Sequence, residues 1–259
     1  MDAVDGESVW LGWFASLCAD RFAALLKRLE QPGAEVYRRA AEALGRAADA
    51  AWNGSWYRRG YWADGEPLGG DGRIDLLPQA FAALSPYADP RRAEAALDAA
   101  LSRLVDEKHG LVKLFDPPFG EDERSPGSIV GYGRGWRENG GQYTHGALWL
   151  ARACLRRGRL QEGLELLKML LPETHELRRW GAEPFVLAAD VSSAPGHEGE
   201  AGWSWYTGSA GWFFRIAAED LLGLRLRDGK LEIRPLLPDW EAHIQGREIV
   251  VKNGSVVEE

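Results

Sequence analysis

The chain has 259 residues, of which 45% are hydrophobic and 27% are charged. This composition is that of a folded globular protein and excludes a disordered, collagen-like or coiled-coil chain. The 39 acidic and 31 basic side chains give a formal net charge of −8, which makes nucleic acid an unfavourable partner because like charges repel.

Cysteine usage and hydropathy indicate the cellular compartment of the protein. Cys18 and Cys154 both fall in apolar helical patterns, so we expect two buried thiols rather than a disulfide framework. No apolar run approaches the roughly 18 residues that cross a bilayer, and the first residues lack the basic and apolar segments of a secretory leader. We therefore expect a cytoplasmic protein whose chain makes no direct membrane contact.

A helical period dominates residues 8 to 222. Apolar residues recur every three or four positions, and proline or glycine interrupts the pattern between helices. The pattern predicts helical pairs at 8–26 with 36–52, 74–84 with 90–105 and 142–155 with 160–171, followed by one helix at 205–222. The leading helices start near residues 8, 74, 140 and 205, which indicates a structural repeat of roughly 66 residues.

Helical pairs that repeat in this way can close into a toroid whose inner helices all begin at one rim. The partial positive charge at those helix N-termini favours anions there. The chain holds three pairs and one further leading helix, whereas a closed toroid of six pairs needs roughly six repeats. We therefore expect a mainly α fold that forms part of such a toroid and leaves apolar helix faces exposed.

The pattern changes after Gly223. Residues 224–233 alternate around Asp228-Gly229, which is a strong hairpin signal, and 248–251 form another short strand. The sequence therefore predicts two parts, a helical domain at 1–222 and a C-terminal β element at 223–259.

Three long loops, at 52–72, 115–142 and 180–207, carry most of the polar and aromatic residues between the helices. The chain has 12 tryptophans and 31 glycines. A carbohydrate site favours both residue types, because an indole stacks on a pyranose while glycine lets the backbone approach. Filling of the core is the alternative use of the tryptophans, and we expect both.

Two stretches carry candidate site residues. Glu138 stands just before a predicted helix and His145 lies in its first turns, so both can face one cleft. Alternatively, Glu138 complements the helix N-terminus and His145 is a core histidine. Thr207, Gly208 and Ser209 offer hydroxyls and backbone N–H groups near the fourth leading helix, which suits a phosphate or a sugar hydroxyl. Close helix packing through small residues is the alternative there.

Other kinds of site have weaker support. Residues 57–65 mix aromatic side chains, two arginines and Asp64, and they either line a sugar pocket or form a capped loop. The five histidines show no paired spacing, so no metal site is expected. The glycines at 131, 133 and 135 lack the context of a dinucleotide site, and no Gly-x-Ser-x-Gly motif occurs.

Four motifs, in chain order, resemble those of glycoside hydrolase family 94, the inverting phosphorylases of β-glucosides. They are GESVWLGW at Gly6–Trp13, RENGGQYTH at Arg137–His145, EPFVLAAD at Glu183–Asp190 and WSWYTGSAGW at Trp203–Trp212. The resemblance covers about residues 3–240. It implies that the chain is the C-terminal part of an (α/α)6 barrel with a short β element. The third and fourth motifs are most similar to the β-1,2-glucan branch of the family.

The resemblance implies a hexosyltransferase. Inorganic phosphate attacks the anomeric carbon while an aspartic acid protonates the leaving oxygen, which gives α-glucose 1-phosphate with inversion. Phosphate is the co-substrate and no cofactor or metal is implied. The expected partners are phosphate, a β-glucan oligosaccharide, and a second copy of the chain or the rest of a longer parent protein. The resemblance assigns four residues to phosphate binding and three to sugar binding, namely His145, Thr207, Gly208 and Ser209, and Glu138, Gln142 and Trp136.

The family's general acid belongs to an Asp-Trp-Asn-Asp-Gly-Met motif, of which Met1 matches the last residue. The resemblance therefore places the acid upstream of Met1, and no catalytic residue is assigned here, because Asp2 and Asp5 lie beyond the motif. General acid catalysis contributes about 10² to 10⁴ in rate, so we expect negligible turnover from this chain alone. The alternatives are a non-catalytic carbohydrate-binding module and an inverting glycoside hydrolase on the same toroid, with Glu138 as its base.

Overall fold

The computed structural model describes residues 6–120, 124, 126–205, 207–244 and 246–258. The side chains of Thr207 and Glu258 also lie outside this description. The expectations for Met1, Asp2 and Asp5 fall outside the described residues as well.

The helices follow the predicted pairs. They are α1 (Val9–Arg28), α2 (Ala34–Asp49), α3 (Leu76–Leu84), α4 (Pro90–Leu104), α5 (Thr144–Arg156), α6 (Leu160–Met169), α7 (Leu177–Trp180) and α8 (Thr207–Ile216). The helix predicted at 205–222 is present, but its last part was not predicted in form, because α8 continues as a π-helix over Ala217–Leu221. This wider turn holds Asp220, which forms a buried ion pair with Arg152 of α5 and a second pair with the more exposed Arg156.

The helices form two layers. The leading helices α1, α3, α5 and α8 lie side by side, each in contact with the next, while α2, α4 and α6 each pack on the helix that precedes them. Most residues of α3 and α5 are buried, because neighbours cover these helices on both sides. Asp75 and Asp89 cap α3 and α4 by accepting hydrogen bonds from first-turn N–H groups.

Eight two-residue strands, three of which directly precede leading helices, lie between the described helices or before α1 and were not predicted. They are β1 (Glu7–Ser8), β2 (Gly60–Tyr61), β3 (Ile74–Asp75), β4 (Val105–Asp106), β5 (Leu111–Val112), β6 (Phe115–Asp116), β7 (Gln142–Tyr143) and β8 (Asp190–Val191). They pair antiparallel as β1 with β2, β3 with β6, β4 with β5, and β7 with β8. The pairs that include β1, β3 and β7 anchor the long loops at the starts of α1, α3 and α5.

The C-terminal region is a small antiparallel β structure. The predicted hairpin is confirmed as β9 (Leu224–Arg227) and β10 (Lys230–Ile233), with its turn at Asp228-Gly229. The strand expected at 248–251 lies within β12 (Arg247–Lys252), which pairs with β11 (Trp240–Ile244) and β13 (Ser255–Glu258). The N–H groups of Leu236 and Leu237 donate to the carbonyl of Leu221, which joins this region to the helices.

Two expectations about apolar residues are wrong. Cys154 is buried, but Cys18 is exposed, because it lies on the open side of α1 one turn from the exposed Phe14 and Phe22. The helix α1 is also long and apolar enough to span a membrane by length and composition, although no such run was expected. Core helices of globular proteins meet the same criterion, but only 22% of the apolar window of α1 is buried.

The expected exposure of apolar helix faces is confirmed on the first helical pair. The exposed side chains on or next to α1 and α2 are Leu11, Phe14, Phe22, Leu25, Leu29, Val36, Tyr37 and Leu44. A cavity of about 370 Å³ lies beside this face, and its lining includes Phe14, Phe81, Trp149 and Trp212 from the four leading helices.

Candidate active site

The first turns of the leading helices lie at one rim. The N–H of Leu76, at the start of α3, donates to the carbonyl of Leu114, and the N–H of Leu114 donates to the carbonyl of Gly141 before α5. The N–H of Thr144, at the start of α5, donates to the carbonyl of Ala189. These bonds bring the second and third long loops to the starts of α3 and α5.

His145 lies in the first turn of α5 and faces the start of α8. A Cβ built on Gly208 would lie 2.6 Å from His145 Cε1 and 3.3 Å from Nε2, so a side chain there would displace the ring. The ring is half-buried and lies 5.5 Å from that of Trp149. Burial lowers the pKa of His145 below its usual value, so the imidazole is neutral near pH 7.

The other predicted phosphate residues form the start of α8. Ser209 is 2% exposed, and its Oγ has no hydrogen-bond partner within the described part of the chain. A buried hydroxyl without a partner is unfavourable, and such groups are concentrated at functional sites. The side chain of Thr207 lies outside the described residues, so its contact with phosphate stays a prediction. The structure therefore brings His145, Gly208 and Ser209 to the same two helix starts.

Glu138 lies beside an arginine that the sequence reasoning did not assign. Arg137 Nε is 3.7 Å from Glu138 Oε2, and the guanidinium lies 4.8 Å from the ring centroid of Trp203 and 5.3 Å from that of Tyr132. Both Arg137 Nε and Glu138 Oε2 are buried without a hydrogen-bond partner among the described residues. Arg137 also has a left-handed φ of 47°, which is uncommon for a residue with a side chain.

Asp190 is a second carboxylate close to this pair. It is buried in β8, where its Oδ1 accepts a hydrogen bond from the N–H of Trp203 at 3.3 Å. Burial raises the pKa of Asp190, the bond from Trp203 and the charge of Arg137 oppose this effect, and the charge of Glu138 adds to it. Arg137 thus lies beside Glu138, and its charge also acts on the pKa of Asp190. We call Arg137, Glu138 and Asp190 the sugar cluster, after the predicted role of Glu138.

The remaining predicted sugar residues have different surroundings. Trp136 is exposed, and its ring centroid lies 5.1 Å from that of His197. Gln142 is buried, its Oε1 accepts from the N–H of Val112 at 2.8 Å, and its Nε2 donates to Thr144 Oγ1 at 3.3 Å. These bonds place Gln142 as a positioning residue at the start of α5, and its contact with sugar stays a prediction.

Residues 1–223 match the model of the glycosyl hydrolase 94 superfamily, catalytic domain. The chain belongs to this family. The predicted fold class is thereby confirmed, because the catalytic domain of glycosyl hydrolase 94 is an (α/α)6 barrel and the described elements are mainly helical.

Individual relatives in the glycosyl hydrolase 94 group differ in what their names say they act on. The chain is 41% identical over 254 residues to cyclic beta-(1,2)-glucan synthase NdvB of Rhizobium meliloti (strain 1021), a match that covers 93% of this chain and 9% of that protein. It is 31% identical over 247 residues to solabiose phosphorylase of Paenibacillus borealis, a match that covers 91% of this chain and 32% of that protein. The chain thus spans less than a third of the length of these relatives.

A solved structure named sialidase shares the fold. It matches with a TM-score of 0.60 and 14% sequence identity, over 96% of this chain and 24% of that chain. At this identity the match shows the helical architecture alone.

In this glycosyl hydrolase 94 chain, the charged side chains of the first long loop have a structural role rather than a role in sugar binding. Arg58 pairs with Asp71 at 2.6 Å, and Asp64 pairs with Arg124 at 2.6 Å. Arg59 forms a partly buried pair with Asp75, the residue that caps α3. The charged side chains at 58, 59 and 64 are thus used within the chain, which favours the capped-loop interpretation.

Arg137 and Asp190 are the candidate residues that sequence reasoning missed. Both stand inside the motifs that resemble the family, but neither has a spacing that marks it as a ligand. The pairing of β7 with β8 brings Tyr143 opposite Asp190, and the charge of Arg137 opposes the rise in the pKa of Asp190. The signal available in the sequence was a charged residue directly next to Glu138.

Proposed function

We propose that this chain carries the phosphate-binding and sugar-binding part of an inverting glycoside phosphorylase. The contact of His145 with Gly208 at the start of α8 supports this most directly. The start of a helix offers free N–H donors and partial positive charge. The imidazole of His145 and the Oγ of Ser209 would add further donors for the same anion. Family membership supports the assignment independently.

In the proposed reaction, a phosphate oxygen attacks the anomeric carbon of a β-glucoside. The bond between that carbon and the glycosidic oxygen breaks, and a carboxylic acid donates its proton to the leaving oxygen. The products are α-glucose 1-phosphate and a shortened saccharide. One protein carboxyl is enough, because phosphate replaces the activated water of an inverting hydrolase. We propose that this acid lies outside the 259 residues, so that the chain alone binds ligands but turns over negligibly.

The sugar cluster is proposed to hold the saccharide on the leaving side of the bond. The Glu138 carboxylate can accept hydrogen bonds from sugar hydroxyls, and Arg137 can donate them. The two buried atoms without partners, Arg137 Nε and Glu138 Oε2, support this role. A β-1,2-glucan is the favoured substrate, because the relative with 41% identity is a cyclic beta-(1,2)-glucan synthase.

Phosphate binding by the 259-residue chain tests the proposal. Inorganic phosphate is titrated while the ring signals of His145 are followed by NMR, with a saturable shift as the expected result. Affinities of the variants are compared by titration calorimetry, and His145→Ala should weaken binding by roughly tenfold or more, as for a hydrogen bond to a charged group. His175→Ala is the matched control, because His175 is also a half-buried histidine, stacked on Trp180. Equal effects of the two variants would contradict the assignment.

A turnover assay distinguishes the alternatives. The chain is incubated with a β-1,2-glucan oligosaccharide and phosphate, and glucose 1-phosphate is measured. Formation at the rate of an intact phosphorylase would contradict the expected lack of turnover. Release of free sugar without phosphate would indicate a hydrolase, and saccharide binding without phosphate binding would indicate a binding module.

A further inference from the structure

Two exposed aromatic side chains stand on the third long loop. Trp205 is 65% exposed and Phe185 is 75% exposed. Their ring centroids lie 6.3 Å apart, with an angle of 72° between the ring planes. Each ring therefore keeps most of its surface in solvent, and the two planes form a corner.

Trp205 is held in place in spite of its exposure. Its Nε1 donates a hydrogen bond to Glu183 Oε1 at 2.8 Å, and Ser204 Oγ donates to Glu183 Oε2 at 2.8 Å. The bond from Trp205 lowers the pKa of Glu183, so the carboxylate remains a charged acceptor. Trp205 also has a left-handed φ of 64°, which is unfavourable for a residue with a side chain. The polar edge of the indole is thus fixed while its faces remain free.

The aromatic pair lies on the segment that joins the two parts of the candidate site. Trp203, two residues before Trp205, has its ring over the guanidinium of Arg137 in the sugar cluster. Gly208, three residues after Trp205, contacts His145. The corner formed by Trp205 and Phe185 is therefore next to the sugar cluster along the same loop.

We propose that Trp205 and Phe185 form an accessory sugar subsite, which binds a glucose unit beyond the unit held by Arg137 and Glu138. A free indole face offers an apolar surface for the C–H groups of a pyranose. Fixing the ring in advance reduces the entropy lost on binding. A disaccharide leaves this subsite empty, so the chain prefers longer β-glucan oligosaccharides. This inference rests on the proposed function for its substrate class.

Binding of saccharides of two lengths tests the subsite. Affinities of the full chain for sophorose and for the pentasaccharide of the same β-1,2 series are measured by titration calorimetry. The pentasaccharide should bind roughly three- to tenfold more tightly, the gain expected from one added aromatic contact. Trp205→Ala and Phe185→Ala should remove this preference and leave the affinity for sophorose unchanged.

The controls separate this inference from the proposed function. Phe214→Ala should change neither affinity, because Phe214 is 74% exposed but lies on α8 outside this corner. Phe185→Ala checks the result if Trp205→Ala loses its fold, since thermal melting reports folding for both. Equal affinity for the two saccharides, or no saccharide binding, would contradict the proposed subsite. The phosphate titration of His145 shows whether the proposed function fails with it.

Discussion

The imidazole of His145 and the backbone of Gly208 are close enough that a built Cβ would come within 2.6 Å of the ring. The first turns of α5 and α8 therefore approach each other with no side chain of residue 208 between them. This approach places a neutral imidazole beside the free N–H groups of a helix start, which is the combination on which the phosphate assignment depends.

Replacing Gly208 by alanine should displace the His145 ring. We expect Gly208→Ala to weaken phosphate binding by roughly tenfold, because the displaced imidazole no longer points toward the anion. Calorimetric titration with phosphate measures the effect. Gly211→Ala on the same helix is the matched control, since a Cβ there meets nothing within 4 Å. It should leave binding unchanged and stabilise the chain by up to about 1 kcal/mol. Unchanged phosphate affinity in Gly208→Ala would contradict the geometry.

The pH dependence of stability should report the burial of His145. Burial lowers its pKa in the folded chain, so the unfolded chain binds the proton more tightly. The free energy of unfolding from this group therefore falls as pH drops through about 6.5, the ordinary histidine pKa. Urea unfolding above and below that pH should show a smaller loss for His145→Gln than for the natural chain. Phosphate should raise the pKa of His145, an effect that NMR titration can follow. Identical losses in both chains would argue against a buried, neutral imidazole.

The ion pair between Arg152 and Asp220 should contribute most to the packing of the π-helical turn on α5. Arg152 Nε lies 2.9 Å from Asp220 Oδ2, and both side chains are almost fully buried. Asp220→Ala leaves the buried Arg152 paired with the partly exposed Glu219, so the free energy of unfolding should fall by about 3 kcal/mol. Urea denaturation measures this change. Arg215→Ala serves for comparison, because its pair with Glu219 is partly exposed, and a loss below about 1 kcal/mol is expected. Similar losses in both variants would show that burial of the pair is unimportant.

The sequence predicted the elements whose residues repeat along one face. Helices such as α4 and α6 carry an apolar stripe of several turns, and their bounds agree closely with the predicted ones. The strands β3 and β7 were missed, because two residues are too few to show a period. The π-helix was also missed, and its residue Asp220 pairs with Arg152, which stands far away in the chain.

The candidate site, like the fold, was predicted in part from the sequence. Motif resemblance indicated His145, Gly208 and Glu138, because each stands at a characteristic place next to a helix start. The influence of the Arg137 charge on Asp190 could not be predicted, since the two residues stand on different loops and the pairing of β7 with β8 fixes the position of Asp190.

The open face of α1 should make the chain associate in solution. Phe22, Leu25 and Leu29 are exposed on one side of this helix or at its end, and contiguous apolar patches of this kind mark interaction surfaces. Light scattering after size exclusion should detect oligomers or poor solubility. Phe22→Glu with Leu25→Glu should reduce association, whereas Leu226→Glu, at a more exposed position on the β9 hairpin, should not. A monodisperse monomer with a sharp cooperative melt would contradict this prediction, because it would show that the apolar face of α1 is stable in water without a partner.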